Sequence, residues 1–158
     1  MDNPMSLEDR VIVITGAAQG VGRGVAQKAA ALGATLALID INEEGAQETA
    51  ALIGGNASVH AGSVADAAFV QDAVAAIVAK HGQINGLFNN AGIIRTAMIH
   101  KMAVADWQAV IDVNLTGVFL CLQAVGRHMI ERAKDGDDAP RRIVNVSSIA
   151  GRRGTIGQ

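Results

Sequence analysis

The chain has 158 residues, 50% of them hydrophobic and 18% charged, with a formal net charge of −2; this suits one compact domain with a real core and excludes disorder as its general state. The near balance of 13 basic and 15 acidic residues supplies no global basic field for nucleic acid or anionic lipid, so a small-molecule partner is favoured. Cys121 is the single cysteine, which rules out an intrachain disulfide; with no charged leader in Met1 to Arg10 and no apolar stretch of membrane-spanning length, the expectation is a cytoplasmic protein.

Short apolar runs alternate with stretches of helical period, the pattern of repeated strand-helix units around a parallel sheet. Arg10 to Thr15 is β-branched and nearly continuous, as a central strand buried on both faces requires, and Gly16 ends it. Val21, Val25, Ala29 and Leu32 recur at helical spacing up to Gly33, which suits a helix C-terminus. Ala34 to Ile39 reads as a second strand, Glu43 to Ile53 as a polar-faced helix stopped by Gly54 and Gly55, and Ser58 to Ala61 as a third strand. Asp66 is placed to cap a helix in which Phe69, Ala73 and Ile77 lie beside Val70, Val74 and Val78, a wide apolar stripe closed by His81 and Gly82. Ile84 to Asn89 is the fourth strand. A long helix from Val104 to Arg132 presents Trp107, Ile111, Val118, Leu122 and Val125 on one side, the polar Ala133 to Arg141 is an exposed loop, and Arg142 to Val146 is the fifth strand.

Between the first strand and first helix, Thr15 to Gly22 is glycine-rich, so backbone N–H groups and the positive helix end can meet a pyrophosphate. A side chain at Gly16 would obstruct the turn, and side chains at Gly20 or Gly22 would hold the phosphate or the neighbouring strand away from the helix. An ordinary strand-to-helix turn is the alternative, but an acid, Asp40, follows about 20 residues on at the end of the second strand, as dinucleotide recognition requires. Asp40 is suited to accept hydrogen bonds from the adenosine ribose hydroxyls of NAD and would repel the 2′-phosphate of NADP. Neither Gln19 nor Ile41 offers a compensating positive charge, which leaves an arginine from a neighbouring loop as the alternative source. A merely solvated strand-end carboxylate is the other reading of Asp40.

The TGxxxGxG spacing of Thr15 to Gly22 resembles that of the short-chain dehydrogenase/reductase family, and Asn89-Asn90-Ala91-Gly92 resembles its NNAG element. Asn114 stands where the family has a helical asparagine, and Ile143 to Gly151 is similar to its serine strand. Four such motifs in order are a strong joint signal, nearest to 3-oxoacyl-carrier-protein reductases and related NAD-dependent alcohol dehydrogenases. The resemblance implies an α/β, Rossmann-type doubly wound parallel sheet of about five strands in the order 3-2-1-4-5, with residues 1–158 as the NAD-binding portion of a single-domain enzyme. It implies hydride transfer between a secondary alcohol or ketone and NAD(H), and a homotetramer or dimer.

Site residues follow from the same resemblance. Gly16, Gln19, Gly20, Val21, Gly22, Asp40, Ile41, Asn90, Ala91, Gly92 and Val113 are expected around the cofactor. Ser63 and Val64 join them, although Ser63 replaces the aspartate usual against the adenine. Asn114 lies on the apolar stripe, where a polar amide needs partners; a satisfied core asparagine or a helix kink is one reading, and an asparagine holding a relay water is the one the family favours. Ser148 is expected to hydrogen-bond the substrate oxygen and Ser147 to pack or cap, the alternative being two serines that simply end a strand. His60, His81, His100 and His128 lack metal-ligand spacing, and Arg152 and Arg153 read as solvated loop charge. No metal is expected. The family's catalytic YxxxK tyrosine has no counterpart, since the sequence contains no tyrosine; the expectation is a polypeptide that continues to that motif, with a catalytically silent NAD-sensing or scaffold module as the alternative.

Overall fold

The structure, a computed structural model, describes residues 3–154 and 156. Met1, Asp2, Thr155, Gly157 and Gln158, which include both ends of the expected domain and the start of the segment read for a leader, lie outside the described residues. Val11–Thr15 (β1), Thr35–Asp40 (β2), Ala57–Ala61 (β3), Gly86–Asn89 (β4) and Arg142–Asn145 (β5) form one sheet in the order β3-β2-β1-β4-β5. Every pairing is parallel, as the alternation of strand and helix signals requires. At the centre, Val13 pairs with Ala37 on one side and Leu87 on the other.

Successive side chains of a strand point to opposite faces, and β1 shows why its continuous apolar run is needed. Val11 and Val13 enter one core with Val70, Ile77, Cys121 and Val125, from helices Ala67–His81 (α3) and Gly117–Lys134 (α5). Ile14 enters the other with Leu36, Leu38, Ala26 and Ala29, the alanines coming from helix Gly20–Ala31 (α1). Ala50 of helix Glu43–Leu52 (α2) packs against that second core. Helices thus cover both faces, and the strand order reverses at β1, which leaves a crevice beyond the carboxyl ends of β1 and β4.

Local signals place most helix ends. Asn42 caps α2 by accepting from the Gly45 N–H at 3.1 Å, and Asp66 caps α3 by accepting from Ala68 and Phe69 at 2.9 and 3.1 Å. Gly33 and Gly82 follow their helices with φ of +96° and +76°, a region that favours glycine.

The expected helix faces need two corrections. In α1 the buried positions are Gly22, Ala26 and Ala29, whereas Val21 is exposed, because the helix packs on the sheet through its small residues and turns Val21 toward the crevice. The long helix is not uniform: Val104–Ile111 (α4) passes through a π-helical turn, Asp112–Thr116, into α5. A π turn takes in an extra residue and so rotates the face that follows. Val125 is buried as expected, but its companions are Cys121, Ala124 and Met129, while Trp107 and Leu122 are exposed. Val104–Lys134 also contains an 18-residue window with mean hydropathy 1.6, long and apolar enough to cross a membrane by length and composition. This corrects the expectation that no such stretch exists, although here α5 packs against β4 and α3. The loop after α5 is anchored by Asp137, whose carboxylate accepts from Arg132 and lies 2.7 Å from Arg141.

Candidate functional site

The glycine-rich turn is held by residues from three other segments. Thr15, buried at the end of β1, accepts the Asn90 and Ala91 N–H groups on its Oγ1, each at 3.0 Å. In return the Asn90 amide donates to the carbonyls of Thr15 and Gly16 at 3.1 and 3.2 Å. From the far side, buried Thr49 of α2 donates to the Ala17 carbonyl at 2.9 Å and accepts from Arg23 Nε at 3.0 Å. The Arg23 guanidinium also donates to the Ala18 carbonyl and pairs with Glu48 at 2.9 Å. Neither Thr49 nor Arg23 stood out in the sequence, since the one local clue, a threonine inside a polar helix, has many innocent explanations.

The turn opens onto a cavity of about 610 Å³, within the range of roughly 300–1,000 Å³ common for ligand sites. Gly16, Gln19, Gly20, Val21, Asp40, Ile41, Ser63, Val64, Asn90, Ala91, Gly92 and Val113 all line it. Gly22 does not line the cavity; a Cβ there would lie 2.0 Å from the Gly16 carbonyl oxygen. Its bare Cα therefore lets the segments that follow β1 and β4 approach the helix. Gly20 differs again, with φ +56° and no atom within 4 Å of an added Cβ, so it is demanded by backbone conformation and leaves open space.

Two features of the cavity concern charge. Unlike α2 and α3, α1 has no side-chain cap, and its first turn carries no acid, so its first-turn N–H groups and the positive end of its dipole face the cavity. Across from it, Asp40 accepts from the N–H groups of Ala18 and Asn42, both at 2.9 Å. A carboxylate has about four acceptor positions, which leaves capacity beyond these two bonds. Ser63 Oγ accepts from the Ala65 N–H at 3.2 Å. Arg95 also lies on the cavity wall, where it pairs with Asp106 at 3.5 Å.

A second cavity, of about 510 Å³, adjoins the first, with Ile93 and Arg95 lining both, and contains Asn114 and Ser148. Asn114 lies in the π turn and is exposed, not a core asparagine. Its amide pairs with the backbone of Ile93, Oδ1 accepting at 2.8 Å and Nδ2 donating at 2.9 Å. Ser148, not Ser147, performs the capping, accepting from the Ala150 N–H at 3.1 Å. That bond uses an oxygen lone pair and leaves the Ser148 hydroxyl proton to donate. The histidines lie elsewhere: His60 and His81 both contact Ser58 Oγ, at 3.0 and 3.1 Å, and burial lowers the pKa of each.

A family profile described as short chain dehydrogenase matches residues 10–158. The chain belongs to that family. Among its relatives, D-threitol dehydrogenase of Mycolicibacterium smegmatis is 42% identical over 153 residues, 95% of this chain and 56% of that protein. The 3-oxoacyl-(acyl-carrier-protein) reductase of Thermotoga maritima is 40% identical over 157 residues, 98% of this chain and 61% of that protein. Among solved structures, the 3-ketoacyl-(acyl-carrier-protein) reductase from Brucella melitensis complexed with NADH superposes with a TM-score of 0.90 at 32% identity, covering 96% of this chain and 62% of that one. The chain therefore spans about three-fifths of the length of these family members, and the family's Rossmann-type sheet in the order 3-2-1-4-5 is the one found here.

Proposed function

We propose that this chain binds NAD(H) in the larger cavity and that the protein interconverts a secondary alcohol and a ketone. The observation that carries the reading is the uncapped amino end of α1 opening into the same cavity as the Asp40 carboxylate, since one suits a pyrophosphate and the other ribose hydroxyls. Bound nicotinamide supplies the hydride acceptor or donor. The protein's own part is to hold and orient. The first-turn amides of Gly20 and Val21 take the pyrophosphate while Gly22 keeps the turn closed behind them, Asp40 takes the adenosine ribose, and Ile41, Ser63 and Val64 the adenine side. Gln19, Asn90, Ala91, Gly92 and Val113 complete the contact surface, and Gly16 shapes the turn.

In the adjoining cavity the Ser148 hydroxyl donates to the substrate oxygen, and the Ala150 N–H that it accepts fixes the hydroxyl oxygen in place. Asn114 retains one amide proton and one carbonyl lone pair beyond its bonds to Ile93, the capacity an ordered relay water needs. The family's tyrosine has no counterpart among these residues, so binding, orienting and hydrogen bonding are this chain's contribution. We read the protein as cytoplasmic and homo-oligomeric, the latter supported by the uncovered apolar side chains Leu115, Phe119 and Ile130.

Calorimetric titration with both nucleotides tests the reading. NAD is expected to bind more tightly than NADP, because Asp40 repels a 2′-phosphate and Arg23 is engaged with Glu48. Asp40→Ser is expected to narrow that preference by about tenfold or more, equivalent to about 1.4 kcal/mol. Tighter binding of NADP by the unaltered protein would refute the role given to Asp40, and no heat from either nucleotide would remove the reading altogether.

A further inference from the structure

The second cavity contains more information than the position of two polar side chains. Its wall is built from Ile94, Met98, Ile99, Met102, Trp107 and Val110. Ile94, Met98, Ile99 and Trp107 are between 48% and 81% exposed, an apolar concentration of the kind that marks a binding surface. They come from the segment after β4 and from α4, which the π turn rotates out of phase with α5.

Polar capacity on this wall is small. Asn114 spends one donor and one acceptor on Ile93. Arg95 donates from Nη1 to the Ile94 carbonyl at 3.1 Å and pairs with Asp106 at 3.5 Å, so its charge is balanced along the rim. Ser148, also on this wall, has a hydroxyl proton free to donate. A hydroxyl group laid against these side chains gives up water for few new partners, whereas a methylene group against Met and Trp gains from leaving water. Continuity with the cofactor cavity, through Ile93 and Arg95 on both walls, makes this space one end of the same site.

Resting on the dehydrogenase reading above, we propose that the substrate is a secondary alcohol or ketone with an unbranched apolar arm, its oxygen at Ser148 and its arm along Met98, Met102 and Trp107, and that polyols are poor substrates. Away from Ser148, Asn114 and Arg95, the side chains of the wall offer the substrate only hydrocarbon, thioether and indole.

The test uses the full-length protein and a series of 2-alkanols from 2-butanol to 2-octanol, with a four-carbon polyol alongside and NAD as oxidant. Oxidation removes a hydride from the carbinol carbon to the nicotinamide and a proton from the hydroxyl, giving ketone and NADH. The expected result is a rise in kcat/KM of about fourfold per methylene, with the polyol at least about a hundredfold below 2-octanol. Trp107→Ala and Met98→Asp are each expected to reduce the ratio of 2-octanol to 2-butanol by about tenfold, a ratio taken within one variant and so insensitive to a general loss of folded protein. A flat series, as would follow if another part of the polypeptide or a second copy fills the cavity, overturns the proposal, as does a polyol that outruns 2-octanol. In both cases NAD binding with turnover would leave the dehydrogenase reading standing. Failure to bind either nucleotide, or to oxidise any alcohol, would instead remove that reading and this one with it.

Discussion

Gly22→Ala is the sharpest test of how the nucleotide turn is built. An ideal Cβ on Gly22 lies 2.0 Å from the Gly16 carbonyl oxygen, 2.8 Å from its carbon and 2.9 Å from Asn90 Nδ2. To restore an ordinary contact of 3.4 Å the carbonyl must retreat by about 1.4 Å, an overpacking displacement of a kind that costs roughly 1–3 kcal/mol. Retreat is opposed by Gly16, already at φ +68°, and by the Asn90 amide bond to that carbonyl, whose loss adds about 0.5–1.5 kcal/mol. Helix propensity works the other way by up to about 1 kcal/mol. Repulsion prevails because the obstacle is backbone, not the mobile end of a side chain. Urea unfolding followed by circular dichroism is expected to show a net loss of about 1–3 kcal/mol, and the nucleotide affinity is expected to fall at least about tenfold as the first-turn amides move. Gly24→Ala, in the same helix but with nothing within 4 Å of its Cβ, is expected to gain about 0.5–1 kcal/mol. Equal gains in the two variants would show that the close approach of Gly22 to Gly16 is not a constraint.

Thr49→Val retains the shape of a fully buried side chain while stranding the Ala17 carbonyl and Arg23 Nε; a loss of about 1–3 kcal/mol is expected in the same unfolding experiment, and an unchanged midpoint would deny the brace any importance. His60 and His81 have pKa values lowered by burial, with Lys80 adding to the effect, so below their ordinary value of 6.5 the unfolded chain binds protons first. Their contribution to stability is present above pH 6.5, declines as pH falls from there and levels off once the folded-state values are passed; a His60→Gln, His81→Gln double variant should flatten that decline, and an identical pH profile would count against the assignment. Cys121 is buried and its thiol is pushed up to about 11 by desolvation, so alkylation at pH 8 is expected to follow unfolding, and rapid labelling of the native protein would contradict its placement.

Burial pattern and turn chemistry are local properties, and for this protein they carried a long way. The continuous apolar run at Val11 to Thr15, the caps at Asp66 and Gly82 and the glycines at 16 and 20 each have a physical cause within a few residues. The parallel sheet and its order accordingly lie where the sequence places them, and twelve of the thirteen residues expected around a cofactor line one cavity. Gly22 is the exception because its obstacle, the Gly16 carbonyl, lies close only once the turn has closed.

What only the tertiary structure decided lies in contacts between segments far apart in the chain. Helical periodicity assumes a constant advance per residue, so the extra residue of the π turn at Asp112–Thr116 made the apolar stripe misleading on one side of it. Nothing near Asn114 in sequence identifies Ile93 as its partner, and nothing near Thr15 identifies Asn90, 75 residues away. The composition and spacing of the chain determine which segments become strands, helices and a phosphate-facing turn. Which polar groups meet across them, and therefore how the site is braced and which way Trp107 faces, depends on three-dimensional packing, because a hydrogen bond is selected by distance in space and leaves no period along the chain.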